Sequence, residues 1–174
     1  MRRSADPHRP CSGLVLLGVL LLLALAALAA LAGGEVWATA VQREREEQLL
    51  YAGEQYRRAI ESYWRATPGR VKALPGSLAV LLEDDRFPMP VRHLRRLYRD
   101  PLDEQAEWGL VKIDSGIAGV YSTSTAKPLK RHGFSARYTH FEDAEDYQHW
   151  RFVFQTPGRS GAPAPRVLEV PLGR

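Results

Sequence analysis

The chain has 174 residues, 45% of them hydrophobic and 25% charged, with a formal net charge of +4. Acidic residues are interleaved with the basic ones, so there is no basic arm of the kind that grips nucleic acid, and no nucleic-acid partner is expected. Cys11 is the only cysteine, which excludes an intramolecular disulfide and a cysteine-built metal cage.

Residues 1–13 form a short basic leader, with Arg2, Arg3 and Arg9 against one acid, Asp6. From Gly13 to Ala32 there is no charge. At ~1.5 Å per residue, about 20 helical residues span ~30 Å, the hydrocarbon thickness of a bilayer. A transmembrane helix is therefore expected over 14–33. The leader's positive charge is expected to keep the N-terminus in the cytoplasm and send the C-terminal domain outward, into the periplasm or its equivalent. Ala27, Ala29 and Ala30 imitate a signal-peptidase site, so a cleaved signal is the alternative.

The remaining residues, roughly 140, suit one small domain, expected over 34–156. Its spine is a helix over 35–66. Leu49, Gly53, Tyr56, Ile60 and Tyr63 recur at spacings of three and four, with Leu50 and Trp64 widening the stripe. The opposite face carries Arg43, Glu44, Glu46, Glu47, Glu54, Arg57, Arg58 and Glu61, and Thr67-Pro68-Gly69 ends the helix. Leu49, Tyr56, Ile60 and Tyr63 are the expected packing stripe. Ser77 is the expected N-cap of a short helix over 78–83. A second short helix is expected over 91–98, with Arg92, Arg95, Arg96 and Arg99 on one side and Arg86 adding to a basic surface.

From Trp108 the pattern changes. Strands are expected over 108–113 and 117–122, flanking the turn Asp114-Ser115-Gly116. An acidic helix is expected over 141–147, a third strand over 150–155, and a disordered tail over 157–174 in which Val167 to Val170 suit an edge strand. The expected fold is α+β, a long N-terminal helix, half transmembrane and half amphipathic, packed on a small antiparallel sheet.

Chemistry-bearing patterns are few. The five histidines form no HxxxH or HExxH spacing, and no GxSxG, P-loop or GxGxxG is present. The acids Glu142, Asp143, Glu145 and Asp146 lack the spacing of a calcium loop. Cys11, on the cytoplasmic side, cannot serve with a periplasmic histidine. No catalytic residue, cofactor or metal is expected, and the chain is not expected to be an enzyme.

The order of these elements resembles that of type IV pilin-like proteins. In detail the chain resembles the pseudopilins of type II secretion systems, through SGLVLLGVLLLLALAA, GEVWATAVQREREEQLLYAGEQYRRAIESYW, LPGSLAVLLEDDRFPMPVRHLRRLYRDPL and EWGLVKIDSGIAGVYSTS, with WRFVF matching the late strand. The resemblance implies cleavage by a prepilin peptidase between Gly13 and Leu14, methylation of the new N-terminus, and assembly with other pseudopilins or secretion-apparatus proteins in the inner membrane. Two residues depart from the pattern. The first mature residue is Leu14 where Phe is usual, and the fifth is Gly18 where Glu is usual. The resemblance therefore implies an accessory subunit rather than a self-polymerising one, with a non-polymerising membrane-anchored binding or scaffold protein as the alternative. The 142–146 acids do not align with the family's calcium loop, so the resemblance implies no metal there.

Overall fold

The computed structural model describes residues 12–157, without the side chains of Ser12 and residues 29–36. The leader with Cys11 and the tail from residue 158 onward lie outside the described residues. The chain divides into two compact units, Met1–Gln42 and Arg43–Arg174. Helix α1, Ser12–Ala66, contributes residues to both.

In the first unit every described side chain from Gly13 to Leu28 is exposed, Leu14 by 74% and Leu28 by 65%. Ala29, Ala30 and the rest of the expected span to residue 33 lie outside the described side chains. Among the described residues no helix is long and apolar enough to cross a membrane.

The second unit is α+β. Three strands, β1 (Gly109–Ile113), β2 (Gly116–Tyr121) and β3 (Phe152–Val153), form an antiparallel sheet in that order. β2 is central and buried along nearly its whole length, as its apolar run with two glycines requires. Asp114 makes the hairpin turn with φ 55°, so the left-handed residue is the aspartate, which tolerates that region, and not Gly116. The β1–β2 register shifts between Val111 and Lys112, where Ala118 is the extra residue. On the β3 side the Ala118 carbonyl accepts from Phe154 N–H at 2.9 Å, continuing the β2–β3 register by one pair.

The core lies between α1 and the sheet. Leu49, Tyr56, Ile60 and Tyr63 are buried there with Trp108, Val120, Phe141, Trp150 and Phe152. Gly53 sits in the same stripe for a steric reason. A Cβ at that position would lie 2.2 Å from the Phe152 ring, so the missing side chain lets the ring close on the helix. Edge and stacked ring pairs fill the rest, including Phe141 stacked on Trp150 at 5.4 Å and Tyr56 edge-on to Trp108 at 5.4 Å.

Several expected elements differ. Over 78–83 there is only a 3-10 turn, Ala79–Leu81, preceded by Leu78 and without a side-chain cap from Ser77. Residues 91–98 are not helical. Val91 instead bridges Asp84, and Leu81 O accepts from the N–H groups of His93 and Leu94, so the backbone finds its partners across the loop. The acidic helix over 141–147 is replaced by two 3-10 turns, Ala136–Phe141 and Tyr147–His149, with Asp146 capping the second by accepting from Gln148 N–H. The strand expected over 150–155 is limited to Phe152–Val153.

Candidate functional site

The residues that the sequence singled out for processing and assembly occupy the first turns of α1. Gly13, Leu14 and Gly18 are exposed, and no atom within 4 Å would meet a Cβ built on Gly13 or Gly18. Large apolar side chains surround Gly18 in sequence and are all turned to solvent, Leu16, Leu17, Val19 and Leu20 among them. A surface of this composition on every side of a helix has no counterpart in the second unit. It can pack against lipid or other helices, and it supplies no nucleophile, acid or base.

In the second unit, polar groups converge at two points on α1. The first is Glu46, assigned by sequence to the charged face but only 2% exposed. Its carboxylate accepts from Leu129 N–H at 2.6 Å, from Lys130 N–H at 3.2 Å and from the Tyr147 hydroxyl at 2.8 Å. Three donors around a buried carboxylate satisfy it without a counter-cation. Arg57 is likewise turned in, 5% exposed, between Glu54 (2.8 Å) and Glu61 (2.8 Å). The surface pairs Glu54–Arg58 (2.8 Å) and Glu61–Arg65 (2.5 Å) sit where their i, i+4 spacing puts them.

The second point gathers Ser62, His93, Asp84 and Arg86 near the end of α1. His93 Nδ1 shares a hydrogen with Ser62 Oγ at 2.8 Å, and its Nε2 shares one with Asp84 Oδ2 at 3.1 Å. This is a serine–histidine–aspartate line that sequence reasoning missed, since its members are 31 and 9 residues apart along the chain. The aspartate is fully buried and is also gripped by the fork of Arg86, at 2.7 Å to Oδ1 and 2.6 Å to Oδ2. Arg86 then reaches Thr67 Oγ1 and Tyr63 O, with its guanidinium 3.5 Å from the Tyr63 ring centre. The Arg86 fork, ahead of burial acting the other way and of the His93 contact, holds the Asp84 carboxyl at about 2. Ser62 lies within α1, whose own N–H groups are taken up by helical hydrogen bonds and are not free to serve an oxyanion at its hydroxyl. The cluster fastens the 84–93 loop to the helix. Arg86 therefore belongs to this buried network and not to the basic surface, while Arg92, Arg95, Arg96 and Arg99 are exposed.

Among the described residues, no group of three or more His, Cys, Asp or Glu side chains is placed to hold a metal ion. Of the late acids, Asp146 contacts His149 at 2.7 Å and Glu142 lies 3.8 Å from His132. The chain was compared with protein-family models, with curated proteins and with solved structures, and none of them matches it.

Proposed function

We propose that the chain is a pseudopilin-like subunit of a type II secretion or type IV pilus-like apparatus, held in the inner membrane by the apolar part of α1 with its C-terminal domain in the periplasm. The observation that carries this reading is the division of labour along one helix. From Leu14 to Leu28 α1 presents apolar side chains on every side, and from Leu49 to Tyr63 it supplies the stripe on which a small antiparallel sheet packs. Such a helix joins neighbours by its first part and displays the domain built on its second. The mechanism is assembly, with no chemical step.

Gly18 shapes the proposal. After cleavage between Gly13 and Leu14, the new ammonium would enter an apolar bundle, where an unpaired charge costs several kcal/mol. A glutamate at the fifth mature position would neutralise it, and Gly18 cannot. The subunit therefore needs a partner chain to supply the carboxylate, which makes it an accessory component. The same glycine favours the second reading, a permanently anchored scaffold that never polymerises.

Intact mass of the membrane-extracted protein, expressed with and without a prepilin peptidase, separates the possibilities. A peptidase-dependent mass for Leu14 to Arg174 plus one methyl group is the expected result. The full-length mass in both strains would select the scaffold, and a mass beginning just after Ala30 would sink the membrane-anchor reading altogether.

A further inference from the structure

A groove of about 730 Å³ runs along the exposed side of α1 in the second unit, walled by residues 130–138. Its lining includes four large apolar or aromatic side chains, Leu50, Tyr51, Phe134 and Tyr138. Tyr51 is 58% exposed although its ring is held edge-on to Tyr98 at 5.9 Å. Tyrosine placed this way, rigid and half out of its domain, is the residue type that anchors protein interfaces.

The charge around this lining is one-sided. Arg58, Arg137 and Lys130 line the groove, and the side chains of Arg58 and Arg137 are more than half exposed. Lys130 Nζ stands 5.1 Å from the Phe134 ring centre, and no carboxylate lies within ion-pair distance of it among the described residues. The only acid in the lining is Glu54, and its oxygens are already occupied. They accept from Arg57 at 2.8 and 3.0 Å, from Arg58 at 2.8 Å and from the Tyr138 hydroxyl, with Arg137 at 3.5 Å. Arg57 is buried beneath them and shared with Glu61. The outward donors of the exposed Arg58 and Arg137, and a half-buried Lys130 whose ammonium has no ion-pair partner among the described residues, stand beside an apolar floor.

We propose that this groove docks an acidic polypeptide segment of a partner protein, one that carries an aromatic or aliphatic side chain between carboxylates. The apolar side chain would lie on Tyr51, Phe134 and Tyr138 while the carboxylates take the arginine forks and Lys130. A concave site walled by a helix and a loop suits a chain segment better than the surface of an anionic membrane. The proposal goes beyond the assembly reading and concerns the second unit by itself, so it stands whether or not the chain is processed at Gly13.

The test uses the full chain in neutral detergent micelles and fluorescence anisotropy of a labelled probe peptide in which glutamate alternates with leucine around a central phenylalanine. Two control peptides replace its glutamates by lysine or its apolar residues by serine. The acidic, apolar probe is expected to bind at least about tenfold more tightly than either control. The R58Q/R137Q double variant and, separately, Tyr51→Ala are expected to weaken it by about tenfold, and Lys130→Gln by a few-fold, with circular dichroism unchanged. Lys130→Gln lies outside the Glu54 network and keeps the test open if the double variant is misfolded. The proposal is overturned if the serine-substituted peptide binds equally, if none of the folded variants weakens binding, or if phosphatidylglycerol added to the micelles displaces the probe.

Discussion

Two stretches of α1 use similar residues in opposite ways. Leu14–Leu28 is apolar all round and entirely exposed, whereas Leu49–Tyr63 places its apolar residues on one stripe and buries them. The helical backbone is common to both, so propensity does not separate them. Pattern does, because a stripe can be covered by one sheet, while a helix that is apolar on every side needs surroundings on every side. Structural stability of the second unit should therefore respond to one stretch and ignore the other.

The sharpest way to break that contrast is at the stripe. Phe152→Ala, which removes a fully buried ring against α1, or Trp150→Ala, which removes one stacked on Phe141, should lower the urea-unfolding free energy of the second unit by about 3–5 kcal/mol. Gly53→Leu should be as damaging, since the Phe152 ring occupies the space a Cβ needs. Next comes Glu46→Ala, which removes the acceptor shared by two backbone N–H groups and the Tyr147 hydroxyl. A loss of about 2–3 kcal/mol is expected in the same assay, partly restored in Glu46→Gln.

A pH titration sharpens the comparison further. Asp84 is held at about 2 chiefly by Arg86, against 3.8 when unperturbed. Burial pushes the Glu54 carboxyl up, but donors from Arg57, Tyr138 and Arg58 outweigh it and bring it to about 2. Both folded values lie below the unfolded ones. Their contribution is therefore complete above about pH 5 and is lost as pH falls toward 2, on the order of 2 kcal/mol for Asp84. Unfolding midpoints measured between those limits should fall in the wild type and fall less steeply in Asp84→Asn.

The smallest effect is expected in the first stretch. Leu21→Ala should leave the unfolding free energy of the second unit unchanged within ~0.5 kcal/mol. A larger loss would mean that the exposed helix packs on the rest of the chain and that the contrast drawn here is false.

The stripe was legible because 3.6-residue periodicity holds for several turns, and the hairpin because two apolar runs flank a turn signal. The helices expected over 91–98 and 141–147 were misread for a common reason. Each is a run of about one or two turns, too short for periodicity to outweigh tertiary partners. The 91–98 backbone bonds to Leu81 and Asp84, and Asp146 folds onto Gln148 and His149. Glu46 and Arg57 look like solvent-facing charges in sequence. Nothing within a few residues of Glu46 announces that its partners lie 83 and more positions away, at Leu129, Lys130 and Tyr147. The Ser62–His93–Asp84 line was hidden too, its members lying 31 and 9 residues apart with no motif spacing to join them.

That separation along the chain also bears on the order in which the domain is made. The Glu46–Tyr147 contact closes a loop of 101 residues, and Phe152, which fills the notch at Gly53, comes later still. Closing such loops slows folding, because their entropy is lost before the contacts that reward it form. During synthesis the stripe from Leu49 to Tyr63 emerges first; Arg86 and Trp108 reach Tyr63 and Tyr56 partway, but the notch at Gly53 waits for Phe152 of β3. In the interval that part of the stripe is exposed apolar surface, the kind that associates before folding is complete.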